Sequence, residues 1–222
     1  ATVQGDAAQP LSAVGTGAQV GLHPISVWNN PEPEIVLAVN SRGMVPGVTL
    51  GNDVNLRDVE GRSALLLGKA KDNNASCALG PMIRLFDDTY TMDDVRNAEL
   101  TLHVKGTDGF VLNGASSMNQ ISRDPLDLVA QTIGAHHQYP DGFMLFLGTL
   151  FAPTQDRDAP GQGFTHHVGD VVPDHPTEPA DLITHVRNRV GIVVADVRRS
   201  SDADREGVGV GKSVDLGGRR SR

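Results

Sequence analysis

Pro31-Glu32-Pro33-Glu34-Ile35-Val36-Leu37-Ala38-Val39-Asn40, then Ser41-Arg42-Gly43, then Met44-Val45-Pro46-Gly47-Val48-Thr49-Leu50-Gly51-Asn52-Asp53 is the stretch that decides how the chain is read. Apolar residues run unbroken from Ile35 to Val39 and return at Val48 and Leu50. The loop between Glu34–Asn40 and Met44–Leu50 ends in a glycine that can take positive φ and close a hairpin. In an extended chain, residues i and i+2 project from the same face. Glu32 and Glu34 therefore point the same way if the strand begins at or before Glu32, and Asp53 arrives one turn and one strand later. Like charges held that close repel unless something positive neutralises them. Three carboxylates converging on one point suit a hard cation, Mg²⁺ first, with Mn²⁺ or Ca²⁺ as alternatives. On spacing alone, a solvated strand end with a turn aspartate is the plainer reading, and the oxygen cage is its competitor.

Working outward, composition bounds the possibilities. With 222 residues, 39% hydrophobic and 21% charged, the chain is long enough to bury a substantial core. Aromatics make up only 4%, so aliphatic residues must supply most of that core. The formal net charge of −8 argues against a nucleic-acid or anionic-membrane surface, because both need clustered cations. A single cysteine, Cys77, excludes an internal disulfide and suits a reducing compartment. No basic stretch followed by an apolar run opens the sequence. The most apolar segment, 143–152, is about half the length of a spanning helix. The expectation is a cytoplasmic protein.

The remaining signals are mostly β. Glu99 to Lys105 alternates apolar and polar residues, and Gly106-Thr107-Asp108-Gly109 turns it into Phe110 to Leu112, a second hairpin. Thr91-Met92-Asp93-Asp94 resembles a capping box opening a helix to about Ala98. Asp124-Pro125 predicts another helix, with Leu126, Val129, Ala130 and Ile133 as its apolar stripe and Gly134 as its stop. After Val172 only Gly191 to Val197 reads as a strand, and the closing Gly-Arg-Ser-rich segment reads as disordered. The expected class is α+β, mainly β, with a few short helices. Cys77 reads as a small buried residue, since no neighbouring group would make it a thiolate. His136-His137, His166-His167, His23 and Trp28 have no specific role assigned, and the polar loop Gln155 to Gly163 is a candidate lid.

Several spaced motifs occur in a fixed order: Glu32-Pro33-Glu34-Ile35-Val36-Leu37, Gly51-Asn52-Asp53-Val54-Asn55-Leu56-Arg57-Asp58, Gly68-Lys69-Ala70-Lys71, Gly80-Pro81, Asp141-Gly142-Phe143 through Gly148-Thr149, and Val168-Gly169-Asp170-Val171-Val172. Through them, Pro31 to Val172 resembles the catalytic domain of the fumarylacetoacetate hydrolase superfamily. The resemblance implies a mixed β-roll, with residues 1–30 as a lead-in, 31–172 as the catalytic domain and 173–222 as a divergent tail. It implies Glu32, Glu34 and Asp53 as metal ligands and Lys71 as the catalytic lysine, with Lys69 as the competing candidate. Arg57 and Thr149 fall where the family holds substrate, although for Arg57 a surface ion pair with Asp58 or Glu60 is an equal reading from the residues themselves.

The implied activity is cation-assisted handling of a 2-oxo acid. Its first form is hydrolysis of a C–C bond of an acylpyruvate or diketo acid through an enolate stabilised by the divalent cation. The alternative is dehydration of 2-keto-3-deoxy sugar acids, a lyase reaction, because the run Gly68 to Cys77 looks closest to a branch containing such enzymes. A second alternative is an incomplete fragment that binds metal and small 2-oxo acids without turnover. The family also implies a homodimer.

Overall fold

The structure, a computed structural model, describes residues 12–149 and 151–172, together with the backbone of 196–199. Ala13–Gly15 (β1) and Gln19–Leu22 (β2) precede the antiparallel pair Pro33–Val39 (β3) and Gly47–Asp53 (β4). Then come Arg57–Glu60 (α1), Cys77–Leu79 (β5), Arg84–Leu85 (β6), Met92–Arg96 (α2), Glu99–Lys105 (β7), Val111–Ser117 (β8), Pro125–Thr132 (α3), Phe143–Phe146 (β9) and Asp196–Arg199 (β10). The main sheet runs β1-β5-β4-β3-β9, with β6 beside β4. Only its β1–β5 pairing is parallel, so the sheet is mixed. β7 and β8 form the second expected hairpin, and β10 lies parallel to β2. The class is α+β and mainly β, as expected.

Strand β3 is buried along its whole length because β4 and β9 cover both its edges. Ile35, Leu37 and Val39 pack there with Leu50, Val54, Leu56, Leu100 and Leu147 in an aliphatic core. A smaller cluster joins Leu102, Val104 and Leu112 to Phe164 and Val172.

The register of β3 on β4 places the site. Pro33 faces Asn52 and Glu34 faces Gly51, and the same register continues past the strand ends to a bridge between Asn30 and Asn55. Between these, the Asp53 N–H donates to the Glu32 carbonyl at 2.9 Å. Asn30, Glu32 and Glu34 therefore share one face with Asn55, Asp53 and Gly51. Gly51 is required by close approach: a Cβ there would lie 2.3 Å from Cε1 of Phe146 and 2.8 Å from Cγ2 of Val36.

The helices show where local signals suffice. α2 begins with the capping box, in which the Thr91 N–H donates to Asp94 at 2.7 Å, and it ends at Arg96 rather than Ala98. α3 begins at the Asp124 cap, but its buried stripe is Pro125, Leu128, Val129 and Thr132, while Leu126 is exposed. Both stripes have helical spacing. The observed one turns Leu128 inward, and Leu126 faces solvent in its place. Of the strand expected at 191–197 only residues 196 and 197 are described, within β10, and the expected disorder at the chain's end falls outside the described residues. No helix among the described residues is long and apolar enough to cross a membrane.

Candidate metal centre

The start of β3, the end of β4 and a single 3-10 turn at Lys69–Lys71 converge on four charged groups. Carboxylate oxygens of Glu32, Glu34 and Asp53 all lie within 4.8 Å of one another. Lys71 Nζ sits 2.6 Å from Glu32 Oε2 and 2.9 Å from Asp53 Oδ2, and it also donates to the Asp53 carbonyl at 3.1 Å. Glu34 is buried, and its Oε2 accepts the Gly148 N–H at 2.7 Å. Gly148 can present that N–H because it holds φ at +90°, a conformation side-chain-bearing residues avoid.

The electrostatics are those of a site with too much negative charge. Burial, then the charges of Asp53 and Glu32, push the Glu34 carboxyl well above its ordinary range. Burial also raises Glu32, although the Lys71 ammonium opposes the rise. Burial works against the Lys71 ammonium, but Asp53 and Glu32 overcome it and raise its pKa, so the lysine stays charged. One ammonium against three carboxylates leaves a surplus that a dication would match. An all-oxygen donor set of this kind fits Mg²⁺, Mn²⁺ or Ca²⁺. Lys71 already occupies part of that role by bridging two of the three carboxylates.

The other sequence candidates fall into place around this centre. Lys69 makes an exposed pair with Asp72 at 2.7 Å and does not join the cluster. Arg57 lies 4.8 Å above the ring of Trp28, whose Nε1 donates to the Phe164 carbonyl. Among the described residues it pairs with no carboxylate, because Asp58 accepts from Ser26 Oγ and the Val27 N–H, and Glu60 accepts from Asn55. Thr149 follows Gly148, and its hydroxyl oxygen accepts the Phe151 N–H at 3.1 Å. Cys77 pairs with Asp53 across the sheet, and burial, then Asp53, push its thiol up to about 12, far from a thiolate.

His136 and His137 are exposed, whereas His166 is buried against Asp170 at 3.2 Å. The expected lid is clamped. Arg157, only 1% exposed, holds Asp170 through two bonds of 2.5 and 2.7 Å and reaches Asp108 at 3.1 Å. Sequence reasoning passed over Asn30, Asn55 and Glu60. The available signal was the strand parity that puts Asn30 and Asn55 on the carboxylate face.

No protein-family model matches the chain. It is 28% identical over 185 residues to 2-dehydro-3-deoxy-D-arabinonate dehydratase of Saccharolobus solfataricus, covering 82% of this chain and 57% of that protein. The structure of 2-keto-3-deoxy-D-arabinonate dehydratase complexed with magnesium and 2,5-dioxopentanoate superposes with a TM-score of 0.68 at 26% identity, over 86% of this chain and 61% of that one. Fumarylacetoacetate hydrolase from psychrophilic Exiguobacterium antarcticum shares the fold, with a TM-score of 0.55 at 18% identity over 86% and 64% of the two chains. The chain is thus similar in sequence to sugar-acid dehydratases and shares its fold with a fumarylacetoacetate hydrolase. It spans about three fifths of the length of the dehydratases it matches. The magnesium of the dehydratase complex agrees with the donor set found here, a partly buried carboxylate cluster able to take a divalent cation.

Proposed function

We propose that this site dehydrates a 2-keto-3-deoxy sugar acid, with a divalent cation as cofactor and residues 31–172 as the catalytic unit. The observation that carries the reading is the partly buried Glu32, Glu34 and Asp53 cluster with Lys71 at its edge, in a chain 28% and 26% identical to sugar-acid dehydratases. The hydrolytic C–C cleavage expected from the resemblance has no such support, since the likeness to a hydrolase at 18% identity speaks to the fold alone.

Glu32, Glu34 and Asp53 would hold the cation, which when bound supplies Lewis-acid polarisation of a 2-oxo acid's oxygens. The protein's own groups do the rest. The Gly148 N–H donates to Glu34 Oε2 and keeps that carboxyl group aimed inward. The Lys71 ammonium balances charge at the cluster and is the cation nearest to oxygen that becomes negative. Arg57, unpaired and braced on Trp28, offers a planar fork to the substrate carboxylate. The Thr149 hydroxyl takes the Phe151 N–H through its oxygen and keeps its own proton to donate.

Incubation with Mg²⁺ and either a 2-keto-3-deoxy pentonate or an acylpyruvate tests the proposal. The expected product is the dehydrated semialdehyde from the first substrate. Pyruvate release from the second, or stabilisation by oxalate without turnover of either, overturns it.

A further inference from the structure

Dehydration needs a group that accepts a proton from carbon, and the metal centre leaves few candidates. Glu32, Glu34 and Asp53 are the cation's donors, Lys71 Nζ is held by Glu32, Asp53 and the Asp53 carbonyl, and the Cys77 thiol donates to the Ser12 carbonyl. One further carboxylate comes close. Glu60, at the end of α1, accepts the Asn55 side-chain N–H through Oε2 at 2.5 Å. Asn55 is 2% exposed and lies on the carboxylate face, next in the ladder to the Glu32–Asp53 pair.

The surroundings of Glu60 set it apart from a surface acid. No cation pairs with it among the described residues, since Arg57 is engaged over Trp28. Beneath it, Oδ1 of Asn55 and Oδ1 of its ladder partner Asn30 are buried without hydrogen-bond partners, and Asn30 is also 2% exposed. Their amide orientations are fixed, because Nδ2 of Asn30 donates to the Pro31 carbonyl and Nδ2 of Asn55 to Glu60. Two unpartnered acceptors on the face that carries the carboxylates are a cost that a hydroxylated ligand can relieve.

We infer that Glu60 is the proton-transfer residue of the dehydration, positioned by Asn55, an assignment that rests on the dehydratase reading above. Glu60 is half-buried, and the oxygen not held by Asn55 takes a proton from C3 of the 2-oxo acid. The C3–H bond breaks, its electron pair forms the C2–C3 double bond, and the carbonyl pair moves onto the C2 oxygen. When that pair returns, a C3–C4 double bond forms and the C4–O bond breaks, its pair leaving on hydroxide. The proton on Glu60 passes to this hydroxide as water, and the carboxylate is restored.

Exchange at C3 isolates this step from the elimination. With Mg²⁺ bound in D₂O, the unmodified chain is expected to wash deuterium into the C3 methylene of 2-oxobutanoate, followed by NMR. Glu60→Gln should slow that exchange about 100-fold or more while leaving the calorimetric Mg²⁺ titration unchanged. Formate added to Glu60→Ala should restore part of the rate. Exchange in Glu60→Gln within twofold of the unmodified chain, with Mg²⁺ binding intact, overturns the Glu60 assignment alone. No exchange in the unmodified chain with Mg²⁺ bound overturns it as well. No calorimetric response to Mg²⁺ in the unmodified chain instead overturns the metal-centre reading beneath both.

Discussion

Among the described residues, the buried group around Arg157 and the partly buried group around Glu34 differ in how their charges add. At Arg157 and Asp170, 1% and 0% exposed, one cation meets one anion through two bonds, with Asp108 at the solvent side and a buried His166 alongside. At Glu32, Glu34 and Asp53 one lysine faces three carboxylates. The first group is complete in itself and fastens the 151–172 segment to the second hairpin. The second is left electrically short by the chain's own residues, which suits a place where something from solution must arrive. Burial alone does not distinguish a clamp from a site, whereas the unmatched charge does.

The strongest way to break this contrast is to remove an anion from each group. Asp170→Asn strands a buried guanidinium and should cost about 3–5 kcal/mol in urea unfolding; a loss under about 1 kcal/mol would mean the clamp is not a clamp. Glu34→Gln should do the opposite in metal-free protein, raising stability by relieving the burial of charge and the repulsion from Asp53 and Glu32 that together lift its pKa. Mg²⁺ at a hundredfold over its Kd should stabilise the unmodified chain by about 2.7 kcal/mol, and Glu34→Gln should erase most of that gain in a thermal-shift titration. A full Mg²⁺ response in the variant would show that Glu34 is not a ligand.

Acidification sharpens the contrast through its sign. His166 is held below its ordinary 6.5, mainly by burial, so the unfolded chain binds the proton first and stability falls as pH drops below about 6.5. Asp170, held low by Arg157 and His166 against the opposing effect of burial, loses its contribution only as pH falls below its ordinary 3.8. Glu34 is raised above 4.5, so in metal-free protein its share of stability declines as pH rises through that value. Chemical denaturation from pH 4 to 8 should therefore show the clamp gaining with rising pH through His166 and the metal-free cluster losing, and His166→Asn or Glu34→Gln should each remove its own slope. The smallest effect belongs to Lys69→Ala, which breaks an exposed pair and should change stability by less than about 0.5 kcal/mol and leave Mg²⁺ binding intact.

What the sequence made legible was local or periodic. The Glu32 and Glu34 alternation, the hairpin at Ser41-Arg42-Gly43 and the capping box at Thr91 all depend on residues within a few positions of one another, where backbone geometry leaves little choice. Helix α3 was found, but its face was turned by one residue, since two helical stripes were available and only packing chose between them. The clamp was invisible because Arg157 meets Asp108 across 49 positions and nothing in the loop's polar composition marks it as interior. Asn55 and Glu60 were missed because an asparagine and a glutamate near a turn look like ordinary solvated residues until the ladder register puts one of them beside Asp53.

Gly51 carries a consequence for how such a centre can change over time. The seat opposite Glu34 is filled by the ring of Phe146, so even a methyl group at position 51 has nowhere to go. Evolution cannot recruit a new ligating side chain from that rung without first dismantling the aromatic wall. The open end of the ladder, beside the short helix that carries Glu60, has no such wall on its own rung among the described residues.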